Sequence, residues 1–248
     1  MTLFLATGWT LIGGAMAAAI YWSFLITPVS TVMALVASAA LALVWLALVG
    51  LTASGAIEIW SRGLSFDGIK HAGRSAPAVL PASVIVLLAW WTTSRMEVWL
   101  AQRNGQISAW FIATVGWADV SWLFAAIGYV AVWVRWVLAA MLGVSLMAGV
   151  RTIGWSAIAQ AAWLRRALHP RAFAGATLWF AALIALPWTW LVPWRPDNLP
   201  ASSVELAFIV AKLSLAAVLC AAGLALIVRE AAVQSPPPVE PTEAAQAA

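Results

Sequence analysis

The chain has 248 residues, of which 64% are hydrophobic and 9% are charged, with a formal net charge of +4. A soluble domain carries about 25% charged residues, so a chain this apolar has too little polar surface to fold in water. Its apolar runs are long and continuous, and a backbone in lipid must bond to itself. We therefore predict an all-α integral membrane protein, a bundle of five or six transmembrane helices with interfacial amphipathic helices.

The first apolar segment, residues 3–27, is uncharged and long enough to span a bilayer. Only residues 27–31 separate it from the next apolar run, and Pro28 interrupts any helix there. A tight helical hairpin would leave both segments spanning and give six spans. A kink would instead lay the first segment along the membrane interface and give five.

Five further segments are predicted to span, since each is near the ~20 residues that a helix needs to cross the hydrocarbon core. Residues 1–230 thus form one transmembrane domain, and the proline-rich segment 231–248 is predicted to be a disordered tail. The five predicted spans are 29–53, 78–93, 121–150, 173–191 and 204–228.

Two connections are rich in tryptophan and too apolar for free loops. We expect residues 95–120 to form short helices on or in the outer leaflet, and residues 187–200 to form a rigid turn at the interface. Tryptophan prefers the headgroup boundary because its ring is apolar and its N–H is polar. An aromatic belt explains most of the eighteen tryptophans, with a docking surface for another membrane protein or for a flat hydrophobic cofactor as the alternative. The candidate outer docking residues are Trp90, Trp91, Trp110, Trp117, Trp122, Trp188, Trp190 and Trp194.

A short pattern of glycine, apolar residue and hydroxyl residue begins at Gly8, Gly63 and Gly154. In each case a helical-looking stretch, a proline and a predicted span follow. The pattern either arises by chance in an alanine-rich chain or indicates a repeat of a surface helix followed by a span. In the third copy, residues 154–170, the spacing of apolar and basic residues predicts one amphipathic helix in the headgroup plane.

The distribution of lysine and arginine predicts the orientation. Most of these residues lie in the connections 54–77 and 151–172, and the positive-inside bias places those connections in the cytoplasm. The C-terminus then lies in the cytoplasm too. The expected location is the inner membrane of the cell, crossed several times.

Arg135 is a cation at the middle of a predicted span, flanked by Trp133 and Trp136. A charge at that depth costs roughly 2.5–3.5 kcal/mol on insertion scales, so Arg135 is expected to face protein and to be paired. The two flanking rings would shield its stem, and a cation–π contact from a neighbouring helix is also open. Backbone carbonyls and a partner subunit's carboxylate remain alternatives to a counter-charge from the same chain. The candidate carboxylates in the chain are Glu58, Glu97, Asp119 and Glu205, of which Asp119 lies ~24 Å away along the same helix and cannot pair directly.

Lys212 lies seven residues after Glu205, so both project from nearly the same face of one predicted helix. We expect Lys212 to extend toward Glu205 and water, because a lysine stem can reach the interface from about two turns away. The alternative joins Arg135, Lys212 and Glu205 into one polar track through the outer half of the bundle.

The sequence shows no motif typical of catalysis, and no predicted span contains a histidine that could ligate a haem or chlorophyll, although methionine and backbone ligands remain open. Its single cysteine, Cys220, and its two histidines, His71 and His169, form no metal-ligand pattern, and no phosphate-loop, zinc-protease or serine-nucleophile motif is present. We expect no enzyme activity, no bound metal and no cofactor. The leading hypothesis is an accessory or scaffold subunit of a larger membrane complex, in contact with lipids and other membrane subunits but not with nucleic acid.

Two rival hypotheses come from other classes of protein. One is a small transporter or permease component, in which Arg135 and Lys212 line an anion path. The other is a lipid-modifying enzyme whose site gathers Asp67, His71 and His169 at the cytoplasmic surface.

Overall fold

The computed structural model of the protein describes residues 1–27, 31–116, 119–160, 162–195 and 203–233. All regular elements in these ranges are helical, as predicted. The α-helices are α1 (Thr2–Ile26), α2 (Val32–Arg62), α3 (Phe66–Ser75), α4 (Val79–Val115), α5 (Ser121–Trp133), α6 (Ala139–Ile153), α7 (Ala162–Ala167), α8 (Pro170–Phe180) and α9 (Ser203–Val233).

Six helical stretches are long and apolar enough to cross a membrane. Residues 3–27 belong to one of them, α1, which packs along α2 as the first half of a helical pair. This arrangement matches the hairpin alternative, although Pro28 itself lies outside the described residues. The tail 234–248 also lies outside them. The six stretches are Thr2–Ile26, Val32–Arg62, Phe66–Val115, Ser121–Ala159, Pro170–Leu191 and Ser203–Ala232.

Helix α4 corrects the prediction for residues 95–120. It continues without a break for 37 residues to Val115, or about 55 Å at 1.5 Å per residue, in place of a span followed by short helices. Hydropathy falls after Thr93, but lower hydropathy does not end a helix. No proline follows Thr93 within α4, so the backbone continues as a helix. Helix α4 ends at Gly116, whose φ of 73° is the left-handed conformation that glycine adopts at helix ends.

The core surrounds α6 and the π-helical turn Val134–Leu138 that joins it to α5. Helix α6 contacts α2, α4, α7 and α9, and nearly all of its residues from Ala139 to Val150 are shielded. By contrast, the early turns of α2 and α9 expose many large apolar side chains. The packed part of the protein therefore lies where α2 and α9 end. The fully buried core side chains include Val137, Met141 and Ile227.

Two of the three repeated glycine patterns have the same backbone conformation. Gly63 ends α2 with φ 81° and ψ 179°, and Gly154 ends α6 with φ 73° and ψ −166°. This region is open almost only to glycine. Gly8 instead lies inside α1, so the first copy of the pattern carries no surface helix.

The segments that follow these two glycines differ. Ser65 accepts a hydrogen bond from the backbone N–H of Gly68 and so starts the single helix α3. After Gly154 the chain forms a 3₁₀ turn, Gly154–Ala159, and then the separate short helix α7, so one amphipathic helix over 154–170 is not formed. Pro170 then opens α8, where the missing N–H of proline carries no penalty.

Candidate functional site

Arg135 lies in the π-helical turn and points at one face of α4. Its Nε donates to Thr93 Oγ1 at 2.7 Å, and one of its terminal nitrogens donates to Ser94 Oγ at 3.2 Å and to Glu97 Oε2 at 2.6 Å. The guanidinium carbon lies 4.8 Å from the centre of the Trp90 ring. These four partners are spaced along α4 so that they meet one side of the helix. We call the five residues the Arg135 clamp.

The clamp supplies a counter-charge for Arg135 from within the chain. The arginine side chain is only 12% exposed, whereas that of Glu97 is 39% exposed. Such a pairing lowers the cost of placing a cation among apolar helices, since the charge is bonded on one side and covered by an aromatic ring on the other.

Of the two flanking tryptophans, Trp133 is directed away from Arg135. Trp133 points at α8, where its N–H donates to Thr177 Oγ1 at 3.1 Å and its ring meets Phe173 edge-on at 4.9 Å. Trp136 is 44% exposed. Sequence reasoning missed the two hydroxyl partners, Thr93 and Ser94. Had the predicted helix been extended past Thr93, both would have been placed about one turn from Glu97.

Lys212 does not pair with Glu205, which corrects the expected contact. Its ammonium donates to the backbone carbonyls of Val192 (2.7 Å) and Trp194 (3.0 Å), and Glu205 instead accepts from Arg195 at 2.7 Å. The physical reason is that helix ends leave carbonyls without partners, and a nearby cation satisfies them. Among the described contacts none links this group to Arg135, so the expected polar track is not assembled by direct bonds.

A second charged cluster, which the sequence did not predict, lies near the C-terminal ends of α2 and α6. Glu58 is almost fully buried and forms an ion pair with Arg151, which also donates to Ser61 Oγ at 3.0 Å. Arg62 lies 4.0 Å from the same carboxylate. Glu58 was placed in a cytoplasmic loop because the apolar run ends near residue 53. In the structure α2 continues past that point and carries Glu58 into the packed region.

The Glu58 oxygen that Arg62 approaches to 4.0 Å borders a small cavity. This atom, Oε1, has no hydrogen-bond partner among the described residues, and the cavity, of about 10 Å³, has room for about one water molecule. Trp9, Gly55, Ser65 and Gly68 line the rest of the space. The cavity is suited to an ordered water that would bond to Glu58 Oε1. It lies where α1, α2 and α3 meet.

Glu230 near the end of α9 also serves a helix contact. It accepts a hydrogen bond of 3.4 Å from the N–H of Trp179, and the absence of a side chain at Gly175 leaves space for the carboxylate. Trp60 similarly donates to the carbonyl of Ala225 at 2.9 Å. Polar groups of the packed region therefore hold helices together in pairs.

The predicted outer tryptophans are largely exposed, which leaves both the aromatic belt and the docking surface open. Trp117 lies outside the described residues. Each of the others has half or more of its surface accessible, and Trp190 reaches 75%. They are Trp90, Trp91, Trp110, Trp122, Trp188, Trp190 and Trp194.

The histidines and acidic residues form no metal centre in the described part of the chain, where no group of three or more His, Cys, Asp or Glu side chains could hold an ion. His71 lies on α3 and His169 immediately precedes α8. Asp119 accepts a hydrogen bond of 2.8 Å from the backbone N–H of Ser121, and this bond lowers the pKa of the carboxyl group. Its effect is to stabilise the start of α5.

Comparison with protein families, with curated proteins and with solved structures finds no match to this chain. Its role therefore has to be argued from the two charged clusters, the exposed tryptophans and the apolar surface.

Proposed function

We propose that the chain is a non-catalytic integral protein of the inner membrane that acts as an accessory or scaffold subunit of a larger membrane complex. The observation that supports this proposal is that three cations of the packed helices bond within the chain, whereas the outer tryptophans are exposed. Arg135, Arg151 and Lys212 each bond to a group of the same chain, while the tryptophans of the outer segments stay exposed. Polar groups thus hold the bundle together and aromatic groups remain for contact outside it.

The Arg135 clamp argues against an anion path through that residue. An incoming anion would have to replace Glu97, whose oxygen lies 2.6 Å from the guanidinium, and would leave that carboxylate without its partner. Removing one partner from such a pair is costly because the other charge remains in a poorly solvated place. Arg135 is better suited to fixing α5 and α6 against α4.

Beyond Glu97, α4 continues for 18 residues, or about 27 Å. This distal part exposes Trp99 and Trp110, together with polar residues such as Arg103. Tryptophan and arginine are enriched among the residues that contribute most of the binding energy of protein interfaces. We propose that the distal part of α4 is the surface that meets the partner subunit.

Site-specific photo-crosslinking in native membranes tests this surface. A benzophenone amino acid placed at Trp99 or Trp110 should give one protein adduct of constant mass. The same group at Leu213, an exposed apolar position of α9, is the control and should give only lipid adducts. Lipid adducts alone at all three positions would contradict the proposed docking role.

The proposed orientation places the connections 54–77 and 151–172 and the C-terminus in the cytoplasm. In a Cys220→Ser background, Ser156→Cys should react with a membrane-impermeant maleimide only after the membrane is permeabilised. Gln106→Cys, on the exposed distal part of α4, should react in intact cells. The reverse pattern would contradict the orientation.

A further inference from the structure

A groove runs along the outside of the bundle between α2 and the junction of α3 with α4. It encloses about 340 Å³, and its walls are almost entirely apolar. Leu43, Leu46 and Leu51 line the α2 side, and Pro77 and Leu80 line the other. Leu43 and Leu80 are more than half exposed, so the groove is open to the surroundings of the protein.

Two glycines shape this groove in different ways. At Gly50 an added Cβ would lie 2.8 Å from the carbonyl oxygen of Ala76, so glycine lets α2 approach the turn between α3 and α4 closely. At Gly73, which lines the groove from α3, an added Cβ would meet no heavy atom within 4 Å. Gly50 therefore allows the two walls to pack together at one end of the groove, and Gly73 leaves open space between them.

Two cations lie close to Gly73 in the sequence of α3: Lys70 is one helical turn before it, and Arg74 directly follows it. Lys70 and Arg74 are both exposed, and neither is among the ion pairs of the described residues. The Lys70 ammonium lies 4.9 Å from the ring centre of Phe66. The one acidic residue of α3, Asp67, lies in its first turn, where the helix dipole favours a negative charge. The C-terminal half of α3 therefore presents net positive charge beside an apolar groove.

We propose that this groove binds one phospholipid with an anionic headgroup. An acyl chain lies along the leucines of α2, and the headgroup phosphate meets Lys70 and Arg74. Basic side chains at the headgroup level attract anionic lipids, and an acyl chain gains by covering exposed apolar walls. A second apolar helix in the groove would offer no anionic partner to Lys70 or Arg74. The proposal goes beyond the subunit role and does not depend on it.

Native mass spectrometry of the purified protein can count the lipid that it retains. The protein would be reconstituted with equal amounts of phosphatidylglycerol and phosphatidylcholine that carry the same acyl chains. The wild type should retain one phosphatidylglycerol in preference to phosphatidylcholine. In Lys70→Gln/Arg74→Gln the affinity for phosphatidylglycerol should fall about fivefold per charge, or roughly 25-fold for both.

Gly73→Leu tests the groove itself. The leucine fills open space without a clash, so it should displace both lipids while the protein stays folded. Gly14→Leu, which also meets open space but lies on α1, is the matched control and should retain lipid as the wild type does. Equal retention of the two lipids by the wild type, unchanged retention in Gly73→Leu, or a lipid-free dimer that covers the groove would each overturn the proposal.

Discussion

The Arg135 clamp makes a specific prediction about Glu97→Leu. This substitution removes the carboxylate and leaves a cation that is only 12% exposed with two hydroxyl acceptors and one aromatic ring. Breaking a fully buried ion pair costs about 3–5 kcal/mol. Since Glu97 is 39% exposed and the bonds to Thr93 and Ser94 remain, we expect a loss of about 2–3 kcal/mol in the free energy of unfolding.

The double variant Glu97→Leu/Arg135→Leu gives the complementary prediction. It removes both charges and leaves two leucines beside Thr93 and Ser94. The Thr93 hydroxyl keeps its bond to the carbonyl of Ala89, so the free energy of unfolding should lie within about 1 kcal/mol of the wild type. A matched control is Glu205→Leu, because its partner Arg195 is 66% exposed and can be hydrated. That control should cost no more than about 1 kcal/mol.

Unfolding by a denaturing detergent in mixed micelles, followed by tryptophan fluorescence, measures all three variants. The expected order of destabilisation is Glu97→Leu first, with the double variant and the control close to the wild type. The reasoning would be refuted if Glu97→Leu were no worse than Glu205→Leu. It would also be refuted if the double variant were as unstable as Glu97→Leu alone.

Three further predictions use the same unfolding titration. Gly154→Ala should lower the free energy of unfolding by about 1–3 kcal/mol, because the φ of 73° and ψ of −166° at this position strain any side chain. Gly105→Ala inside α4 should be neutral or stabilising by up to about 1 kcal/mol. Equal effects of the two substitutions would contradict the backbone conformation of Gly154. Lys212→Met and Glu205→Gln should be additive within about 0.5 kcal/mol, because the two side chains bond to different groups; a larger coupling would restore their direct pairing. The pKa of Asp119 is lowered in the folded protein, so its contribution to stability is present above the unfolded pKa and is lost as the pH falls through the folded pKa. Asp119→Asn should therefore remove part of the stability loss at acidic pH. An unchanged loss of stability at acidic pH in this variant would contradict the contribution of the hydrogen bond between Asp119 and Ser121.

The six long apolar helices could be predicted from the sequence because a helix that crosses lipid needs a minimum apolar length. The extent of α4 could not, since hydropathy reports the surroundings of a residue and not the continuity of the backbone. The polar residues after Thr93 therefore suggested a break where the helix continues. The positions of Gly63 and Gly154 were visible in the sequence, but their shared positive φ required the structure.

The side-chain pairs were harder to predict than the helices. The sequence indicated that Arg135 needs a counter-group and offered four carboxylates, but the choice of Glu97 depends on the register between α4 and the π-helical turn. Lys212 was assigned to Glu205 because they share a helix face, while the actual acceptors are carbonyls of another segment. Glu58 was considered only as a possible partner of Arg135, because its ion pair with Arg151 of α6 joins residues that are distant in sequence.

The mass of the protein extracted from its native membrane tests the proposed subunit role most directly. Extraction into polymer-bounded lipid discs without detergent, followed by native mass spectrometry, would preserve any associated subunit. Our account predicts the 26.3 kDa chain together with a second protein in constant ratio. A single copy of the chain accompanied only by lipid would contradict it.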